Sequence, residues 1–276
     1  MEPYWEVIKQ IIKESDIVLE VLDARYVEFS RNETLENLIK EISRPVITIV
    51  NKSDLVPRKS LEISMDKLKF QGREEVISMS NKDPKAVENL KEQIKKVFSK
   101  YGKRPTLEPS KKKTTHKEAR AGIVVGVLGY PNVGKSSIIN AISSRKKVKV
   151  TSTPGTTHGS HWVASSKNII LIDTPGVIPL NYMNKTRLDL IGARSVEKIS
   201  DKEAVAAKII ELFLKENKQK FEEHYNIKIE KEESAYDIIE KLGRKRLHLK
   251  KGGIVDKDRT HTLIIREWQK GELKLS

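Results

Sequence analysis

The stretch Gly129-Tyr-Pro-Asn-Val-Gly-Lys-Ser136 carries the most specific chemistry in this 276-residue chain. It matches G-x-x-x-x-G-K-[ST], a spacing that lets a loop wrap a polyphosphate. Gly129 and Gly134 allow backbone N–H groups to turn inward, and the start of a following helix adds partial positive charge. Lys135 is placed to reach the β- and γ-phosphates, and Ser136 to offer a hydroxyl to Mg²⁺. The expected cradle is Gly129, Val133, Gly134, Lys135, Ser136 and Ser137. An apolar run, Gly122 to Leu128, precedes the loop as a buried strand would, and Ser137 to Ile142 continues with helical spacing.

Three further groups complete a guanine-nucleotide constellation. Asn51-Lys-Ser-Asp54 follows a predicted strand, where α/β sheets bind ligands. An Asp54 carboxylate can accept both N1–H and the exocyclic amine of guanine, a pair adenine cannot supply. Asn51 can bridge base and phosphate loop, and the Lys52 stem can cover the flat face of the base. Alone, these four residues fit a surface turn equally well. Ser80-Asn81-Lys82 would bring backbone N–H groups near the guanine carbonyl, or form an ordinary loop before a helix. Asp173-Thr-Pro-Gly176 offers a carboxylate to the Mg²⁺ shell and the Gly176 N–H to the γ-phosphate. Thr157 is the candidate switch hydroxyl on the metal, with Thr156 as the fallback.

The elements that must position these groups alternate. Helices are predicted at Tyr4–Glu14, Asn32–Ile42, about Lys59–Phe70 and about Pro84–Ser99. Strands are predicted at Ile17–Leu22, Pro45–Val50, Glu75–Met79 and Asn168–Ile172. That alternation predicts a mostly parallel six-stranded sheet with helices on both faces. Residues 101–120 read as a basic linker with Pro105 and Pro109. Beyond about residue 181 the pattern is helical, with capping signals at Ser200/Glu203, Ser234/Asp237 and Asp256. The expected division is an α/β domain over 1–180 and a small all-α domain over 181–276.

A net charge of +15 points to a polyanionic partner, and 33% charged residues also suit a thermophile's surface. With 37% hydrophobic residues the chain can build a core. It has no cysteine, which excludes disulfides and Cys-ligated metal sites. No basic-then-apolar leader opens the sequence, and no apolar run approaches membrane-spanning length. A soluble, cytoplasmic, monomeric protein is expected.

The order of the motifs is distinctive, because Asn51–Asp54 and Ser80–Lys82 precede the phosphate loop instead of following it. In that order, and in Asp23-Ala-Arg25, Arg31-Asn32, Gly243-Arg-Lys-Arg246, Lys251-Gly-Gly253 and Gly271-Glu-Leu273, the chain resembles the circularly permuted GTPases of the YlqF/RbgA ribosome-assembly type. The resemblance implies a Ras-like phosphate-loop domain followed by a helical one. It also implies a GTP-driven switch that binds ribosomal RNA during large-subunit maturation, and K⁺ held beside the phosphates by Asn132. Two departures stand out. Val177 follows Gly176 where Ras-like enzymes carry a water-orienting Gln, so intrinsic hydrolysis should be slow. The catalytic His that bacterial members carry near the N-terminus is missing from Met1–Glu14, leaving His158 and His161 as substitutes of lower standing than K⁺ or a group from the partner.

Basic runs supply the candidate RNA contacts: Lys111, Lys112 and Lys113; Arg145, Lys146 and Lys147; and Arg244, Lys245, Arg246, Lys250 and Lys251. Aromatics, 5% of the chain, are not interleaved with them, which favours structured RNA read by shape and phosphate over a stacking platform. Two other readings stand beside the assembly GTPase. One is a GTP-sensing binder with negligible turnover, and the other a GTPase acting on tRNA or a membrane surface.

Overall fold

The computed structural model describes residues 3–104, 122–143, 161–166, 168–173 and 185–276. The first helix, α1 (Pro3–Glu14), leads into β1 (Ile17–Asp23), a one-turn helix α2 (Val27–Ser30) and α3 (Glu33–Ile42). Then come β2 (Val46–Asn51), α4 (Arg58–Phe70), β3 (Glu75–Met79) and α5 (Pro84–Tyr101). The phosphate-loop unit is β4 (Ile123–Leu128) and α6 (Lys135–Ile142), followed by β5 (His161–Ser166) and β6 (Ile169–Asp173). The remaining helices are α7 (Lys185–Leu190), α8 (Lys202–Glu216), α9 (Lys218–Tyr225), α10 (Ala235–Lys245) and α11 (Lys257–Lys270).

The strands form one six-stranded sheet in the order β3-β2-β1-β4-β6-β5, parallel except for β5, which runs antiparallel to β6. β1 and β4 are buried along their whole length, as strands covered on both faces must be, and they read as continuous apolar runs for that reason. The register aligns Asp23 with Asn51 and Asn51 with Met79, and sets Val127 beside Asp173. The carboxyl ends of β1, β2, β3, β4 and β6 therefore lie side by side on one edge of the sheet. This is the expected α/β fold.

Local chemistry explains the helix starts. Asn32 caps α3 by accepting from Leu35 N–H at 2.9 Å, and Asp83 caps α5 with Pro84 in its first turn. Ser234 and Asp237 form the expected reciprocal capping box on α10, and Asp256 caps α11. At α8 the structure corrects the sequence reading. The cap is Asp201, accepting from Ala204 N–H at 2.9 Å, one residue beyond Ser200. Four of these elements were not placed individually from sequence: the short helices α2, α7 and α9 and the antiparallel strand β5. Residues 105–120 lie outside the described residues.

Two apolar clusters form among the described residues. One, between the sheet and helices α1, α3, α5 and α6, includes Ile12, Leu38, Ile39, Ile94 and Ile139. The other joins the carboxyl ends of β1 and β2, through Leu22 and Val50, to Leu68 of α4 and to α8–α11. At its centre Trp268 is fully buried, with its ring edge-on to Tyr26 at 5.8 Å and Phe213 at 6.0 Å between centroids. The C-terminal helices thus share a core with the sheet at that carboxyl edge.

Candidate functional site

The phosphate loop has the backbone its glycines require. Gly129 sits at φ +150° and Gly134 at φ +103°. A Cβ on Gly129 would come 2.6 Å from the Val21 carbonyl oxygen, and one on Gly134 would run into the Asn51 amide. Gly134 caps α6, so the helix starts at Lys135 with its N–H groups facing the loop. Lys135 is buried and donates to the carbonyls of Gly129 at 2.9 Å and Tyr130 at 2.7 Å, which holds its ammonium inside the curve of the loop. Tyr130 is anchored from outside, because its buried phenol accepts from Asn32 Nδ2 at 2.8 Å. One side chain therefore caps α3 and secures the loop.

The Asn51–Asp54 segment lies one strand away and is tied to this loop. Asn51, at the end of β2 and 1% exposed, donates from Nδ2 to the Val133 carbonyl at 2.7 Å. Its Oδ1 is buried without a hydrogen-bond partner among the described residues. Lys52 adopts φ +62°, a left-handed conformation rare for a non-glycine residue, and its ammonium meets Asp23 Oδ2 at 2.8 Å. Asp54 accepts from Ser80 Oγ at 2.8 Å and Lys82 Nζ at 2.6 Å. Burial alone would raise its carboxyl, but those hydrogen bonds hold it below the ordinary carboxylate range. Ser80 and Lys82 thus act on Asp54 itself. Lys82 N–H turns back to Ser80 Oγ at 3.2 Å, and Asn81 is exposed.

Sequence reading passed over the residue that holds Lys52. Asp23 is fully buried and ion-paired with both Arg25 and Lys52 at 2.8 Å. Burial works to raise its carboxyl, yet the two cations beside it hold it far below the usual carboxylate range. Burial likewise lowers the Lys52 ammonium, partly opposed by Asp23. An Asp-x-Arg triplet at the end of an apolar strand is the available sequence signal for such a buried pair, since ionised side chains enter an interior only when partnered.

Asn132 also sits left-handed, at φ +61°, and donates from Nδ2 to the Gly192 carbonyl at 2.6 Å, tying the phosphate loop to the segment after α7. Asp173 closes β6 beside Val127, and His161 opens β5 opposite Asp173 in the register. Thr156, Thr157, His158, Gly176 and Val177 lie outside the described residues, as do Lys111–Lys113 and Arg145–Lys147. Arg244, Lys245, Arg246, Lys250 and Lys251 are exposed around the turn between α10 and α11. That turn is closed by a bridge between Leu249 and Val255, and Leu247, Leu249 and Ile254 stand exposed among the basic residues. Among the described residues no helix is long and apolar enough to cross a membrane, and no cluster of three acidic or histidine side chains forms a metal site.

The glycine cradle and the inward lysine suit the phosphates of a bound nucleotide. Ser136 and Asp173 are the residues of this chain that would hold Mg²⁺, which supplies charge neutralisation on the β- and γ-phosphates when bound.

Comparisons with known proteins agree with this arrangement. Residues 124–241 match the family described as 50S ribosome-binding GTPase, and residues 1–96 match one described as ethanolamine utilisation – propanediol utilisation. An uncharacterized GTP-binding protein of Methanocaldococcus jannaschii is 37% identical over 271 residues, covering 98% of this chain and 66% of that protein. Ribosome biogenesis GTPase A of Priestia megaterium is 29% identical, covering 94% of this chain and 87% of its own. The guanine nucleotide-binding protein-like NSN1 of Arabidopsis thaliana is 30% identical over 98% of this chain and 47% of its own length. The chain thus spans from about half to about two thirds of the length of the first curated relatives it matches. Among solved structures, GNP-bound YlqF from T. maritima has the same fold, with a TM-score of 0.61 at 23% identity over 99% of this chain and 96% of its own.

Proposed function

Since the chain belongs to the circularly permuted GTPases of the YlqF/RbgA type, we propose that it is a Mg²⁺-dependent, GTP-hydrolysing switch. Its place of action is assembly of the large ribosomal subunit, through ribosomal RNA. The observation that carries the nucleotide half of this reading is the 2.7 Å hydrogen bond from Asn51 to Val133. It ties the Asn51–Asp54 loop to a phosphate loop 82 residues away in sequence. Asp54 reads guanine, Lys135 binds the phosphates, and Ser136, Asp173 and Thr157 complete the metal shell, with Gly176 N–H on the γ-phosphate. Asn132 contributes to a K⁺ site beside the phosphates. K⁺ or a group from the RNA partner supplies the acceleration that Val177 does not.

The division at about residue 180 gives the switch its lever. Asp173–Gly176 ends the nucleotide-binding part, so a γ-phosphate-dependent movement there passes directly to the helical part. The exposed turn with Arg244, Lys245, Arg246, Lys250 and Lys251 supports an RNA contact made through phosphates, with salt-dependent affinity. Lys111–Lys113 and Arg145–Lys147 extend the same basic character.

The test is GTP turnover in K⁺ buffer with and without purified large ribosomal subunits, with Na⁺ as control. Strong stimulation by subunits in K⁺ is the expected result. Turnover that neither subunits nor K⁺ raise would replace this reading with a nucleotide-dependent binder. Stimulation by tRNA or anionic vesicles instead of subunits would move the site of action.

A further inference from the structure

The helical part grips the base-reading loop at two places. The first is the buried pair at the end of β1. Asp23 accepts from Arg25 Nε on Oδ1 at 2.9 Å and from Nη2 on Oδ2 at 2.8 Å, and the same Oδ2 accepts from Lys52 Nζ at 2.8 Å. The guanidinium extends its remaining arm to α11, where Nη1 donates to the Trp268 carbonyl and the cation lies 4.3 Å from the centre of the indole ring. Trp268 is itself fixed by its own Nε1–H on the Leu190 carbonyl at 2.9 Å. A continuous chain of charge-assisted bonds thus runs from α11 to the side chain expected against the base.

The second grip is residues 271–276. Past the left-handed Gly271, the chain crosses Ser53–Leu55. Leu275 N–H donates to the Leu55 carbonyl at 2.9 Å, and Ser276 Oγ to the Asp54 carbonyl at 2.8 Å. Leu273 and Leu275 are buried, and from the far side Asn217 Nδ2 holds the Leu275 carbonyl at 2.9 Å. The strap therefore bonds the backbone of the residue whose carboxylate faces guanine, while Arg25 secures the residue whose stem covers it. Lys52 keeps its left-handed φ between these two grips, as a strained residue does only where its surroundings over-determine it.

We propose that Arg25, Leu275 and Ser276 are positioning residues for guanine recognition, through which the helical part sets nucleotide affinity and base selectivity. This rests on the reading of Asn51–Asp54 as the base site. A pocket selects guanine over hypoxanthine only if the Asp54 carboxylate is held where both donors reach it; a loose loop gives up that second hydrogen bond first. By reciprocity, a partner that displaces α11 also loosens the base, giving the helical part control over nucleotide release.

The experiment measures binding of fluorescent GDP and IDP, and steady-state GTP turnover, in the full chain carrying Leu275→Ala, Ser276→Ala or Arg25→Lys, with thermal melts alongside. Leu275→Ala should weaken GDP by about tenfold and cut the GDP-to-IDP preference by about threefold, with the loss in KM and not in kcat. Arg25→Lys keeps the charge on Asp23 but cannot also hold Trp268, so it should shift both quantities the same way by less. Ser276→Ala removes an exposed hydroxyl without threatening the fold, and should lower the GDP-to-IDP preference by about twofold. Folded variants with unchanged affinity overturn the proposal, as does weakened binding with an unchanged base preference. Asp54→Ala separates the two levels: it should abolish discrimination of GDP from ADP. Discrimination that survives Asp54→Ala sinks the base-site reading and this proposal together. Discrimination lost in Asp54→Ala but untouched in the other three variants sinks the proposal alone.

Discussion

The two halves of the proposed nucleotide site are built by different means. The phosphate half is made of backbone: Gly129 and Gly134 at positive φ, a helix N-terminus, and a lysine folded onto its own loop's carbonyls. Its geometry is local, and eight consecutive residues contain it. The base half is made of side chains and borrowed support. Asn51 leans on Val133, Lys52 on Asp23, Asp54 on Ser80 and Lys82, and behind Asp23 stands Arg25, bonded to Trp268 243 residues away. The phosphate half thus takes its shape mainly from its own backbone, with Asn32, Asn51 and Gly192 holding it from outside, whereas the base half is only as firm as the packing of the helical part against the sheet.

That contrast is open to direct attack. The largest effect should come from Trp268→Ala, which empties the centre of the shared core and removes three aromatic and cation contacts at once. A loss of about 4 kcal/mol in urea unfolding is expected, the range for deleting a buried indole. If the halves differ as described, the surviving folded fraction should bind inorganic tripolyphosphate nearly as well as the unmodified protein while its preference for guanine falls. Equal loss of both would show one cooperative pocket. Next comes Gly134→Ala, aimed at the junction. A left-handed alanine costs about 1–2 kcal/mol, and its Cβ occupies the place of the Asn51 amide, so the Asn51–Val133 bond is lost too. Nucleotide affinity should fall by about a hundredfold, or close to 3 kcal/mol by titration calorimetry. A fall below tenfold would mean that the loop relaxes around the methyl group and that the two halves are not rigidly joined.

The same contrast explains what could be read from the sequence. The phosphate loop, the strand before it and the helix after it were legible because glycine spacing encodes backbone shape directly. The alternation of β1 to α6 was legible because buried parallel strands are unbroken apolar runs, and of the six strands expected, the five parallel ones were located in the sequence. Strand β5 was not, since His-Trp-Val-Ala-Ser-Ser at an antiparallel edge carries neither a long apolar run nor a clean alternation. Helix α9 was hidden because only Phe221 and Tyr225 of its eight residues are buried. At α8 two capping residues stand side by side, and Asp201 won over Ser200 by one position. In the proposed site, the motif residues were named from sequence, but the fastening of Lys52 and Asp54 was not. Asp23 and Arg25 entered only as part of a family resemblance, and Leu275 and Ser276 not at all, because a contact over 200 residues leaves no local pattern. Pairing of Ser80 and Lys82 with Asp54 is a side-chain outcome where the sequence suggested backbone N–H groups.

The smallest effect concerns the strand that carries the base-side support. β1 holds two buried acids whose shifts are opposite. Asp23, burdened by burial but flanked by Arg25 and Lys52, stays ionised below the ordinary range. Its stabilising contribution is present above its unfolded value and disappears only as pH falls through the lower folded one, so the base-side support persists across the neutral and mildly acidic range. Glu20, three residues earlier, is pushed up from 4.5 to about 7, by burial and by Glu36, against the opposing charge of Arg73 at 2.7 Å. Its Oε1 is buried without a hydrogen-bond partner among the described residues. A raised carboxyl contributes stability that is complete below its unfolded value near 4.5 and is lost as pH rises through about 7. Between pH 5 and 8 the protein should therefore lose about 2 kcal/mol from this one group, and Glu20→Gln should flatten that slope. Urea unfolding across this pH range reads it. A slope that survives Glu20→Gln would place the titration elsewhere. A flattened slope with guanine affinity unchanged would show that β1 carries its stability burden at Glu20 and its recognition burden at Asp23 independently, although the two lie on one strand.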